Sequence, residues 1–403
     1  MVSKSSRMYY ELVNNLGFWI YFGIFDQIRS MKKKITVLLS LIIFLLTNAQ
    51  KRFQITGNLS GFEENSFAKI TKNNMTLDSC IIKNGEFALN GTLQNEPSSV
   101  VLLISNGTSY RYSELFIGNE SIRINAKKED FKWNVKTEGS KYDNLRFKYF
   151  KLIKALNEER SQYESQVASI RDNSKWNDSL QITYWSQKQP FGKIILVDKK
   201  LEEINKKFIT DNINQPYGLY LLDSNKSVLS KSFVSNSVKN LNPKLKNNLL
   251  VKSINSYLYN PDLKIGDSFY NFSAIDQNGR KVKFSDYFMQ KFVLLDFSTL
   301  YCGFCIQSIP TLNQLKKEKG NKLEIVTFYV DQDLKGFEKL HKKHHSEWII
   351  LRDKDGRSSE TYSKYKVDGT RVFYLFGPDG TLIKKIDGFD EEMEELIKKN
   401  IGS

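Results

Sequence analysis

The sequence predicts a multidomain chain: an N-terminal all-β domain of sandwich or barrel type, a helical connector, and a C-terminal α/β domain. Three observations carry this. From Phe53 to Val135 short apolar runs, several of them alternating, are separated by Gly and Asn turns at intervals of roughly ten residues. Over residues 140–260 the apolar spacing becomes helical, with Lys and Glu between. Beyond residue 291 strand-like apolar runs alternate with helical stretches, as in a sheet with helices packed on it. A content of 40% hydrophobic and 13% aromatic residues supplies real cores and excludes a disordered chain.

In chain order, Met31-Lys-Lys-Lys precedes a mostly apolar run from Ile35 to Leu46 and then Thr47-Asn-Ala-Gln50. A basic start, a short apolar stretch and a small-residue cleavage site predict a secretory signal peptide over residues 31–50. The run is too short to span a bilayer comfortably, and no cysteine follows it, so attachment as a lipoprotein is not expected. Residues 1–30 then read as a miscalled extension, with translation starting at Met31. The alternative is a membrane-associated leader using Leu16 to Phe25. Of the net charge of +15, residues 51–403 carry +11, from lysines dispersed among acids, a solvated surface rather than a nucleic-acid footprint.

The β-rich domain is assigned to residues 51–137. Its strands are read at Phe53-Gln-Ile-Thr-Gly, Phe67-Ala-Lys-Ile, Gly85-Glu-Phe-Ala-Leu-Asn-Gly, Val100 to Ile104 and Ser121-Ile-Arg-Ile-Asn. Cys80 lies in another such stretch and reads as a small buried thiol, with an exposed thiol open to mixed disulfides as the other reading. No catalytic constellation stands out here, so binding or docking is the expected role. Residues 138–260 form the helical connector, with helices over Leu145 to Ile170, Leu196 to Phe208, Tyr217 to Leu222 and Leu241 to Tyr259. Coiled-coil pairing is an open alternative for the first helix, and the heptads do not persist beyond it.

Residues 261–403 hold the chemistry. Phe292 to Phe297 is a near-continuous apolar run with one acid, the mark of a strand buried on both faces. Cys302 and Cys305 follow, then Ile306, Ile309 and Leu312 at helical spacing. The pair therefore falls where a buried strand gives way to a helix. Free N–H groups and the positive dipole end at that N-terminus lower a thiol pKa. Two cysteines at this spacing are close enough for a reversible disulfide, with Cys302 the attacking and Cys305 the resolving sulfur. A zinc site competes for any C-x-x-C, but the other candidate ligands are His341, His344 and His345, clustered on one helix. Those histidines stand three to four residues apart, a spacing that can hold a metal. Lys342 and Lys343 beside them oppose a cation and favour a solvated helix. An inert remnant of a redox motif is the third reading.

The stretch Phe292-Val-Leu-Leu-Asp-Phe-Ser-Thr-Leu-Tyr-Cys-Gly-Phe-Cys305 resembles the active-site segment of thioredoxin-like proteins. Leu263-Lys-Ile-Gly-Asp-Ser-Phe, Asp276-Gln-Asn-Gly-Arg-Lys-Val, Tyr365-Lys-Val-Asp-Gly-Thr and Gly377-Pro-Asp-Gly380 resemble the TlpA-like disulfide reductases of the bacterial envelope. The β-rich part resembles the domain of unknown function that precedes the redox module in many of them. This resemblance implies a thioredoxin-like α/β fold with a helical insertion over residues 261–403 and a location in the periplasm or envelope of a Gram-negative bacterium. It implies a thiol–disulfide oxidoreductase that needs no cofactor beyond a Cys302–Cys305 disulfide. Its partners would be thiols or disulfides of envelope proteins and an unidentified electron donor or acceptor, with no nucleic acid.

Asp296 occupies the position of the buried acid beneath a thioredoxin active site, where a raised pKa suits proton exchange with the resolving thiol. The alternative is an acid at a strand end that reaches solvent. Tyr301, Phe304 and Thr370 fall where the family meets its substrates. Three departures stand out. Tyr301 replaces the usual tryptophan, Phe304 replaces proline inside the motif, and Arg371 stands where the family places a cis-proline opposite the cysteines. A cis bond before a non-proline residue costs about 3 kcal/mol, so this loop is expected to be trans. Arg371 brings a fixed positive charge that should lower the Cys302 pKa further. Thr299-Leu-Tyr-Cys302 with Arg371 also resembles the Thr-x-x-Cys and arginine of peroxiredoxins, although Leu295 stands where that family has proline. A thiol peroxidase and a non-catalytic thioredoxin-fold binding module are thus the alternatives.

Overall fold

The computed structural model describes residues 52–402 apart from 95, 108, 301, 332, 347, 368, 370, 371, 389 and 390. The expectations for the signal peptide and for residues 1–30 therefore lie outside the described residues, as do those for Tyr301, Thr370 and Arg371.

Seven strands come first: β1 (Phe53–Ser60), β2 (Phe67–Lys72), β3 (Met75–Ile81), β4 (Glu86–Gly91), β5 (Ser98–Ser105), β6 (Tyr110–Ile117) and β7 (Ser121–Lys127). They form two sheets, ordered β4-β1-β7 and β3-β2-β5-β6. In β1 and β7 every second side chain is buried, which is what a sheet with one face on a core requires. The shared core takes Phe53, Ile55 and Ile124 from the first sheet and Ile70, Leu102 and Leu115 from the second. β1 runs parallel to β7, and Gly57 faces Ile124 across that pair. A Cβ on Gly57 would stand 1.8 Å from the Ile124 carbonyl oxygen, so only glycine fits. Cys80 is half-buried rather than buried, because β3 is an edge strand of its sheet. The β2–β3 turn uses Asn73 and Asn74, both at positive φ (46° and 62°), the backbone that a two-residue hairpin turn demands and asparagine tolerates.

Six helices follow: α1 (Asp143–Asp172), α2 (Asp178–Trp185), α3 (Lys193–Asn212), α4 (Pro216–Ser224), α5 (Lys231–Lys239) and α6 (Leu249–Tyr259). The expected helix over Leu241 to Tyr259 divides. Asn242 caps a short 3-10 turn, Pro243–Leu245, and Asn248 caps α6 by accepting from the Leu250 amide. These helices pack on the β-rich domain. Phe116 of β6 packs into their core beside Tyr217, with ring centroids 5.1 Å apart. Asp143, fully buried at the start of α1, accepts from the Phe116 amide (2.8 Å), the Thr137 hydroxyl (3.0 Å) and Arg146 Nε (2.9 Å). Arg146, also fully buried, donates to the Val135 carbonyl (2.8 Å). Such a buried ion pair is tolerable because hydrogen bonds satisfy its carboxylate from several sides.

The remainder is a thioredoxin-like α/β fold. Its elements are β8 (Ser273–Asp276), β9 (Lys281–Lys283), β10 (Phe292–Ser298), α7 (Gly303–Lys319), β11 (Leu323–Tyr329), α8 (Leu334–His344), β12 (Ile349–Arg352), α9 (Glu360–Lys364), β13 (Val372–Phe376), β14 (Leu382–Asp387) and α10 (Glu391–Ile401). The mixed sheet is ordered β14-β13-β10-β11-β12-β8-β9, so β10 lies inside it, parallel to β11 and antiparallel to β13. One core, with Phe297, Phe328 and Phe376, covers one face, and a second, with Leu294, Leu312 and Ile397, covers the other. The insertion between β11 and β13 contains a strand, β12, besides its helices. Ser253 of α6 bonds both Asp223 of α4 (2.7 Å) and Ser363 of α9 (2.8 Å), which ties the helical part to this fold. Among the described residues no helix is long and apolar enough to cross a membrane.

Candidate active site

β10 is apolar enough to lie inside the sheet, with six of its seven residues buried, and it delivers the chain to the start of α7. Cys302 is the N-cap of α7, and its sulfur accepts from the Cys305 amide at 3.1 Å. A Cys302–Cys305 disulfide closes the first turn, with the Cα atoms 5.2 Å apart. The two sulfurs differ in access: Cys302 is partly exposed, whereas Cys305 is buried. Phe304, between them, is 63% exposed. An apolar side chain held in solvent next to an accessible sulfur suits contact with another molecule.

Asp296 does not reach solvent. It is 4% exposed, and its Oδ2 accepts from the Thr327 hydroxyl at 3.1 Å, while Thr327 accepts in turn from Trp348 Nε1 at 3.1 Å. Its Oδ1 has no hydrogen-bond partner among the described residues. Burial raises the carboxyl pKa to about 7, against the opposing pull of the Thr327 hydrogen bond. Asp296, Thr327 and Trp348 line a small cavity together with Cys305 and His341, so the carboxyl and the inner sulfur open onto one space.

The histidine cluster is not a solvated stripe. His341 is 7% exposed and meets Trp348 edge to face, with centroids 5.5 Å apart. His345 has left the helix as a C-cap in the left-handed region, so the three imidazoles share no helical face. The lysines after His341 obscured its burial in the sequence. Only the tertiary position of α8 brings it, with Leu340, onto this cavity.

Sequence reasoning also missed the far side of the site. Asp331, just beyond β11 and 1% exposed, accepts from the Thr299 hydroxyl in a short hydrogen bond and from the Leu300 amide at 3.3 Å. Asn74, at the tip of the β2–β3 hairpin, donates to its other oxygen at 2.7 Å. Lys72, in the same hairpin, feels the charge of Asp355, which partly offsets the lowering of its pKa by burial. The β-rich domain thus reaches the loop that leads to Cys302. Asn74→Ala removes the donor from Asp331, a loss of about 1–3 kcal/mol when the acceptor stays buried. Faster hydrogen exchange at the Leu300 amide is the expected result, and unchanged exchange there would show that the hairpin does not hold this loop.

Of the residues named from the sequence, the structure brings Cys302, Cys305, Asp296 and Phe304 to one end of β10 and α7. Residues 265–385 match the AhpC/TSA family, and residues 53–145 match a domain of unknown function, DUF4369. Similar solved structures include the thioredoxin domain of a thiol-disulfide oxidoreductase from Bacteroides vulgatus, 21% identical, covering 35% of this chain and 100% of that one at a TM-score of 0.33. A thiol-disulfide oxidoreductase from Bacteroides fragilis is 26% identical, covering 33% of this chain and 98% of its own at a TM-score of 0.31. A secreted disulfide oxidoreductase of Mycobacterium tuberculosis is 20% identical, covering 32% and 95% at a TM-score of 0.29. No curated protein sequence matches the chain.

Proposed function

We propose that this protein is an exported thiol–disulfide oxidoreductase that exchanges disulfides with envelope proteins through Cys302 and Cys305. The observation that carries the reading is the disulfide at the α7 N-terminus, with one accessible and one buried sulfur, next to the buried carboxyl of Asp296. In the reducing direction the Cys302 thiolate attacks a client disulfide. A Cys302–client bond forms, and the first client thiolate leaves and takes a proton. Cys305 then gives up its proton towards Asp296 and attacks Cys302. The internal disulfide forms, the second client thiolate leaves and is protonated, and the client has gained the two electrons that the cysteine pair lost. A donor of chemical class thiol must then reduce the pair again. Export rests on the pattern of residues 31–50 and is tested by the mature N-terminus, expected near Gln50 or Lys51.

A thiol peroxidase is the second reading, favoured by the match to the AhpC/TSA family. Against it, Leu295 stands where that family has proline, and Cys305 is not spaced from Cys302 as a typical resolving cysteine. One pair of proteins separates the two. The parent should reduce insulin disulfides, and Arg371→Pro should do so equally or faster. Rapid hydrogen peroxide turnover in the parent that Arg371→Pro abolishes, with little disulfide reduction in either, would replace this proposal by the peroxidase.

A further inference from the structure

We propose that His341 is a positioning residue for the resolving step, orienting a water that carries the proton between the Cys305 thiol and the Asp296 carboxylate. The inference rests on the oxidoreductase reading above and adds a residue that its motif does not contain. The cavity behind the disulfide has room for about one water molecule. The residues that line it include Cys305 from α7, Asp296 from β10, whose Oδ1 has no hydrogen-bond partner among the described residues, and His341 from α8. A buried water needs two to four polar partners, and these residues provide them.

His341 is suited to orienting rather than to storing the proton. Among the described residues, the titratable groups facing the cavity are Asp296, Cys305 and His341 itself, while β11 contributes Thr327 and the segment before β12 contributes Trp348. Burial, and to a lesser degree the neighbouring His344, lowers the His341 pKa to about 4. At neutral pH the ring is uncharged, with one nitrogen donating and one accepting. Trp348 fixes the ring edge to face and also holds Thr327, which in turn bonds Asp296. The imidazole is thereby linked to the indole directly and the carboxyl through Thr327. The proton balance is simple: Cys305 loses it as its sulfur bonds Cys302, and Asp296 gains it through the water, later returning it to solvent.

The test follows the reduced protein reacting with a small disulfide such as glutathione disulfide in a single turnover between pH 5 and 9. The attacking phase forms the Cys302 mixed disulfide, and the resolving phase releases it. His341→Phe keeps the ring packing but removes both nitrogens. It should slow the resolving phase about tenfold relative to the attacking phase, and should displace the midpoint of the resolving phase in pH. His341→Gln, which can still donate and accept, should recover most of the rate. Equal phase ratios and midpoints in the parent and both variants would overturn the role of His341. So would a parallel fall of both phases with no recovery in His341→Gln, the mark of a packing defect. A parent protein that forms no mixed disulfide would be a separate failure, that of the oxidoreductase reading itself.

Discussion

At pH 8 an Asp296→Asn protein should unfold at a higher denaturant concentration than the parent, and at pH 4 the difference should nearly vanish. The native carboxyl titrates at about 7, against 3.8 in an unperturbed chain, because burial disfavours its charge. The native state therefore binds this proton more tightly than the unfolded one. Its stabilising contribution is complete below the unfolded value and is lost as pH rises through the folded value. Three pH units at about 1.4 kcal/mol each bound the loss at roughly 4 kcal/mol, and relaxation around the charge would reduce it. Asparagine removes the titration and keeps an oxygen for the Thr327 hydroxyl, so the variant should gain about 2–4 kcal/mol at pH 8. The same change removes the proton acceptor and should slow the resolving step by about a hundredfold. Paired unfolding curves at the two pH values decide the matter. A stability difference that does not depend on pH would mean that Asp296 is not a buried, proton-holding group.

Much of this was legible in the sequence because the informative residues are local. The apolar run Phe292–Phe297, Cys302, Cys305 and the helical spacing behind them lie within one short stretch, and a buried strand followed by a capped helix leaves little choice of geometry. The two-period strands of the β-rich domain were readable for the same reason, since each carries its own alternation. Contacts across long sequence separations were not readable. Asn74 and Asp331 meet across 257 positions, and a two-asparagine turn carries no mark of what its tip will touch. Strand β12, four residues long, is too short for any period to show, and it exists because β11 and β8 lie on either side to pair with it. His341 was hidden by its neighbours: the lysines after it are exposed, and only the tertiary position of α8 turns that residue towards the cavity. For α5, Ser230 at the N-cap was the one local sign, since three apolar residues in nine make a weak helical pattern.

In cells, Cys305→Ser should accumulate mixed disulfides with client proteins, whereas Cys302→Ser should accumulate none. The asymmetry follows from access. Cys302 caps α7 on the partly exposed side, where the Cys305 amide points at its sulfur and would donate equally to a thiolate. Cys305 is buried over the cavity and cannot meet a protein client before Cys302 does. With serine at 305 the first bond forms and nothing inside the protein breaks it, so the adduct lasts until an outside thiol reaches it. With serine at 302 the nucleophile is a hydroxyl, and exchange should fall to background because the reaction needs a thiolate. Trapped partners should separate from the protein on reduction, and mass spectrometry of the released chains identifies them. Equal trapping by both variants would assign the first attack to either sulfur and contradict the exposure difference. No trapping by either, together with a Cys302–Cys305 pair that does not cycle in purified protein, would leave a thioredoxin fold that binds without exchanging. Phe304 adds an internal control: it is exposed beside the attacking sulfur, so Phe304→Ala in the Cys305→Ser background should thin the set of trapped partners without altering reaction with a small disulfide. Clients that need an apolar contact depend on that ring, while glutathione disulfide depends on the sulfur alone.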